Sequence, residues 1–84
     1  MNYTVYWRPA AEDELAEIWT NATDRQAVTA AANSIDAILT RDAASQGESR
    51  SGSLRILIIS PLAVHFKVRE SKRLATILKV WRWQ

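Results

Sequence analysis

Six consecutive residues constrain this chain more than any others: Val64-His65-Phe66-Lys67-Val68-Arg69 alternates apolar and basic side chains at every step. Successive side chains of a strand point to opposite faces, so this run has one apolar and one charged face and reads as a half-buried strand. Such a strand needs neighbours beside it and a second layer beneath it. The flanking segments supply the neighbours. Leu54 to Ile59 is a short apolar strand interrupted by Arg55, and Ser60-Pro61 marks a turn. After a charged turn at Glu70 to Arg73, Leu74 to Trp83 reads as a last strand. It carries Leu74, Thr76, Leu78 and Val80 on one face and Lys79, Trp81 and Trp83 on the other. Strands joined by turns this short pair as an antiparallel meander.

The second layer comes from the first half. Tyr3 to Trp7 is a β-branched and aromatic strand that Pro9 closes. Beyond the proline, Ala11, Leu15, Ile18 and Trp19 recur at helical spacing, with Glu12, Asp13, Glu14 and Glu17 on a solvated face near the helix N-terminus. Thr23 and Gln26 have capping-box spacing. Val28, Ala31, Ala32, Ile35, Ile38 and Leu39 then form a second stripe, predicting a helix from about Asp24 to Arg41. Two helices so close in sequence should form a hairpin. Asp42 to Ser53 is polar, holds both glycines and reads as a loop. The expectation is an α+β fold in the order β-α-α-β-β-β. An antiparallel sheet carries the two-helix hairpin on one face, in a single domain spanning 1–84.

An 84-residue chain that is 48% hydrophobic and 24% charged can form one core and is too apolar for disorder. It has no cysteine, which excludes disulfides and thiolate zinc sites and suits a reducing compartment, with the cytoplasm as the default location. Nothing reads as a signal peptide or membrane span. The net charge is +2, yet its distribution is lopsided. Residues 1–49 carry three bases against eight acids, and residues 50–84 carry eight bases against one acid. That asymmetry suits a surface meeting nucleic acid or an acidic protein.

With Leu54, Ile56, Ile58, Val64, Phe66, Val68, Leu78 and Val80 taken as the core face, the opposite face collects Arg55, His65, Lys67, Lys79 and Trp81. Apolar Leu57, Ile59 and Ile77 would lie between them, which makes that face a candidate contact surface. His65, the one histidine, can serve as an acid or base or simply be a solvated side chain. Trp81 and Trp83 bracket Arg82 and can anchor a partner, stack on nucleotides or cover the core beside Trp7. Carboxylates do not cluster with His65 on the sheet, so no metal or other cofactor is expected. Gly47 to Arg50 lacks the spacing of a phosphate-binding loop, and Ser49 and Ser51 have no triad partners in view.

The element order, together with Ala10-Ala11-Glu12-Asp13-Glu14-Leu15-Ala16-Glu17-Ile18-Trp19, the Leu54-Arg55 strand start, the Val64 to Val68 strand and the Ile77 to Val80 strand, resembles the RelE/ParE toxins of type II toxin–antitoxin modules. This family includes plasmid stabilisation proteins. The resemblance spans nearly the whole chain and rests mostly on core patterns. It implies a bacterial growth inhibitor silenced by a cognate antitoxin. Some members cleave mRNA on the ribosome without a metal, and others bind DNA gyrase. Where RNA-cleaving members carry an arginine at the start of the third strand, this chain offers Leu62 or Ala63, and no tyrosine follows the last strand. Arg55, His65, Lys67, Lys79 and Arg82 are the remaining catalytic candidates. The resemblance therefore leaves three possibilities: a toxin that acts by binding, a ribosome-dependent endonuclease, and an inactive member that serves as antitoxin partner or co-repressor. Arg55, Lys67, Lys79, Trp81, Arg82 and Trp83 are the candidate partner-binding residues.

Overall fold

The computed structural model describes residues 2–51 and 54–84. Its elements are β1 (Thr4–Trp7), α1 (Pro9–Asn21), α2 (Arg25–Asp42), β2 (Glu48–Ser51), β3 (Leu54–Ile59), β4 (Leu62–Arg69) and β5 (Leu74–Arg82). They form one five-stranded sheet in the order β1-β5-β4-β3-β2. The expected meander is β3-β4-β5. Two features depart from the expectation. β1 runs parallel to β5, so the sheet is mixed. Part of the polar segment read as a loop is β2, an edge strand antiparallel to β3; Gly52 and Ser53 of that segment lie outside the described residues. Its Glu-Ser-Arg-Ser sequence has no strand pattern because an edge strand can form on backbone bonds alone.

Pro9 starts α1, its missing N–H costing nothing in the first turn. Ala11 is buried, and Leu15 and Ile18 pack against the core. Trp19 does not join them. It is 43% exposed, its Nε1 donates to Thr29 Oγ1 at 3.2 Å, and the Arg25 guanidinium lies 4.7 Å over its ring. Arg25 also donates to the Trp19 and Thr20 carbonyls at 3.0 and 2.8 Å, capping the end of α1, where the Trp19 carbonyl also accepts the Ala22 N–H at 3.2 Å. α2 buries Val28, Ala31, Ile35 and Leu39. The Thr23–Gln26 capping box does not form: Asp24 occupies the cap position without a side-chain cap bond, and its carboxylate binds Arg82 instead.

Both helices pack on one face of the sheet, where Leu62, Val64, Phe66, Ala75, Ile77 and Val80 are buried. Burial at roughly 25 cal/mol per Å² of apolar surface makes this layer the main source of stability. Val64 and Phe66 point inward and Val68 packs on the core, while Lys67 and Arg69 are exposed, as the alternation requires.

The neighbouring strands take a different phase from the expected one. In β3, Leu57 and Ile59 lie opposite Val64 and Leu62 and pack on the core, whereas Leu54, Ile56 and Ile58 share the outer face with Lys67, His65 and Ala63. An all-apolar strand carries no phase of its own. The expected phase treated Arg55 as outward, but Arg55 stands opposite Phe66 on the helix side and donates from Nη1 to the Gln46 carbonyl at 3.2 Å. In β5 a bulge does the same work. Ile77 pairs with Phe66 and Lys79 with His65, which leaves Leu78 as an extra residue. Ala75 and Ile77 therefore face inward before the bulge and Val80 after it. Gly47, at φ +74°, sits beneath this layer. A Cβ there would collide with the Ile56 carbonyl oxygen and stand 3.1 Å from the Phe66 ring, so the position requires glycine.

Candidate partner-binding face

The sheet face away from the helices is built in rows across the strands. Ile56, His65 and Lys79 form one row, Ile58, Ala63 and Trp81 the next, and Leu54, Lys67, Thr76 and Tyr6 a third. The His65 and Trp81 rings meet edge to face with centroids 4.7 Å apart. Ala63 is fully buried without belonging to the helix-side core. Ile58 is 39% exposed and Tyr6 49% exposed. The face thus mixes apolar and aromatic side chains with Lys67, Arg69 and Lys79. The exposed apolar and aromatic side chains of this face are Ile58 and Tyr6, whereas Leu57, Ile59 and Ile77 belong to the helix side.

The sequence candidates divide between the two faces. His65, Lys67, Lys79 and Trp81 share the outer face, whereas Arg55 and Arg82 lie on the helix side with acceptors of their own. Trp83, 44% exposed, follows the end of β5, and its N–H donates to the Pro61 carbonyl at 2.7 Å. The candidate bases therefore do not converge on one point. Among the described residues no group of three His, Asp or Glu side chains is placed to hold a metal ion.

Two acids of the first half matter in a way that the amphipathic pattern concealed. Glu14 is not simply solvated: Oε1 accepts the Val80 N–H at 2.9 Å, and Oε2 lies 3.4 Å from Lys79 Nζ. β1 pairs with β5 only over Leu74 to Ile77, so beyond it Glu14 replaces a strand partner and steadies the stretch that carries Lys79 and Trp81. Asp24 joins the helix connection to Arg82 at 2.6 Å. The hydrogen bond from Arg82 holds the Asp24 carboxyl below its ordinary value, partly opposed by desolvation, and Asp24 in turn raises the Arg82 guanidinium.

A carboxylate depressed in the fold stabilises above its unfolded pKa, and that contribution is lost as pH falls through the folded one. Stability should therefore decline on acidification below the ordinary aspartate value of 3.8, and Asp24→Asn should flatten that part of the profile. Thermal melts from about pH 5 to about pH 3 check this, an unchanged slope in the variant counting against it. Both partners are partly exposed, so the effect should be modest and weaker in salt.

A groove of about 710 Å³ opens between α1 and α2, lined by Trp7, Leu15, Trp19, Val28, Ala32 and Asp36 among others; no sequence candidate lines it. Trp7 is held at its wall by an Nε1 bond to Asp36 at 3.1 Å. Among the described residues no helix is long and apolar enough to cross a membrane.

No family model matches the chain, and no curated protein matches it in sequence. Solved structures do resemble it. A chain of the toxin–antitoxin complex RelBE2 from Mycobacterium tuberculosis superposes with a TM-score of 0.76 at 14% identity, covering 98% of this chain and 92% of that one. A chain of the chromosomal ParDE TA system from P. aeruginosa gives 0.66 at 16% identity, covering 98% and 97%. The isolated E. coli RelE toxin gives 0.59 at 10% identity, covering 98% and 85%. The chain has the RelE/ParE-like toxin fold. At these identities the likeness is one of architecture, and function rests on the site.

Proposed function

We propose that the chain is the toxin of a type II toxin–antitoxin module, arresting growth when its cognate antitoxin is absent and acting by binding a target such as DNA gyrase. The observation that carries this reading is the fold, matched over 98% of the chain by an isolated toxin and by chains of two toxin–antitoxin systems. Binding is favoured over chemistry because Arg55 and Arg82 lie on the helix side and Leu62 and Ala63 are buried. A phosphoryl transition state needs its charges converging on one point. His65 with Lys79 beside it and Lys67 on the same face supports a second reading, a ribosome-dependent mRNA endonuclease.

Silencing follows from masking the outer face. Ile56, Ile58 and Trp81 offer apolar anchors, and Lys67, Arg69 and Lys79 offer positive charge, which suits an acidic amphipathic segment that folds as it binds. Inducible expression in a bacterial host should stop growth, and co-expression of the product of an adjacent antitoxin gene should restore it. Normal growth at confirmed soluble expression would contradict the toxin reading and favour an inactive member that only partners the antitoxin. Plasmid supercoiling and transcript mapping separate the two mechanisms: relaxed plasmid with intact transcripts supports gyrase binding, and cleaved transcripts support the nuclease.

A further inference from the structure

The two edges of the sheet are unequal. β2 at one edge reads Glu48-Ser49-Arg50-Ser51, and charges on an edge strand discourage another chain from pairing. β1 at the other edge reads Thr4-Val5-Tyr6-Trp7, with neither charge nor proline. Its parallel register with β5 decides which backbone groups are in use. The Thr4 N–H donates to the Arg73 carbonyl at 2.8 Å and the Arg8 N–H to the Ile77 carbonyl at 3.1 Å. Alternation along the strand then turns the Thr4 and Tyr6 backbone toward β5 and the Val5 and Trp7 backbone toward the open edge. The open stretch is bounded at both ends. The Tyr3 N–H is already taken by the Thr40 carbonyl at 2.7 Å, and Pro9 has no N–H.

We propose that β1 pairs with β1 of a second copy of this chain, antiparallel about a twofold axis at Tyr6, joining the two sheets into one. In this register Val5 of each copy stands opposite Trp7 of the other, and each such pair exchanges both of its backbone hydrogen bonds. Moving the axis to Val5 would set Trp7 against Tyr3, whose N–H is already used; moving it to Trp7 would set Val5 against Pro9. The Tyr6 register alone engages both open residues of each copy. It also lays the two Tyr6 rings, each 49% exposed in the single chain, beside one another on the outer face. A twofold contact is closed, so association stops at the dimer. So short a ladder makes a small interface, and the dimer should be weak and concentration-dependent.

The absence of cysteine makes the register testable, because Tyr6→Cys and Thr4→Cys each introduce a single thiol. Directly opposed residues of a non-hydrogen-bonded pair have Cα atoms about 4.5 Å apart, within the roughly 4.4–6.8 Å that a disulfide spans. The two Thr4 positions would be about 14 Å apart. Under a mild oxidant, purified Tyr6→Cys should form the disulfide dimer at least about tenfold faster than Thr4→Cys, given that distance limit. Sedimentation of the unmodified chain should show its mass rising with concentration. Tyr6→Lys, with an unchanged circular dichroism spectrum, should remain monomeric. Equal cross-linking rates, a parent chain monomeric at the highest concentration reached, or a Tyr6→Lys variant that dimerises like its parent would each overturn the proposal. None of these readouts involves growth, so the proposal and the toxin reading fail independently.

Discussion

Phe66→Ala should lower stability by about 3–5 kcal/mol, the range for truncating a fully buried phenylalanine. Phe66 is wholly inaccessible, stands opposite Arg55 and Ile77 across its two neighbouring strands, and approaches the backbone at Gly47. A domain of this size commonly has about 4–13 kcal/mol in total, so the variant should be close to unfolding. Urea titration of the parent and variant measures the loss, with Lys67→Ala as the control. Lys67 is the next residue along β4 and is exposed, so its truncation should stay within about 0.5 kcal/mol. Similar midpoints for Phe66→Ala and the parent would mean that β4 does not carry the core.

How far the sequence could be read depended on whether each element carried its own phase. β4 does, because every outward position from His65 to Arg69 is charged or titratable. α2 does, because Val28, Ala31, Ile35 and Leu39 recur at helical spacing. β3 does not: Leu54 to Ile59 is apolar on both faces, and its single polar residue misleads, since Arg55 finds its acceptor at the rim of the core. β5 has a clear pattern that a bulge reverses midway, and no residue type announces a bulge at Leu78. The parallel placement of β1 is a long-range pairing that local patterns do not encode.

The same reasons explain why the candidate site was only partly legible. His65, Lys67, Lys79 and Trp81 fall together because β4 has an unambiguous phase and the bulge restores Lys79 and Trp81 to the outer side. Arg55 and Arg82 fall away because each meets an acceptor on the helix side, Gln46 and Asp24. Glu14 looked like any other acid on a solvated helix face. Its role depends on β1 ending at Trp7, which leaves the Val80 N–H without a strand partner.

If the chain is a toxin as proposed, Trp81→Ala and Lys67→Glu should each weaken binding of its antitoxin, and in different ways. Trp81 lies on the outer face near the end of β5, in the row of Ile58 and Ala63 and against His65, where an indole can be desolvated by a partner. Truncating such an anchor typically costs at least about 2 kcal/mol, close to thirtyfold in affinity, and acts mainly on dissociation. Lys67 is exposed and lies on the same face in the row of Leu54 and Thr76, so reversing its charge should leave the fold intact. Its effect should fall on the association rate and shrink as salt is added, because an exposed charge steers encounter more than it holds the complex. Calorimetric titration gives the affinities, and stopped-flow association at two salt concentrations separates the effects. Circular dichroism of Trp81→Ala distinguishes a lost anchor from a lost fold. If both variants bind as tightly and as fast as the parent, the proposed antitoxin does not use this face, and the masking of Lys67 and its neighbours proposed above is wrong.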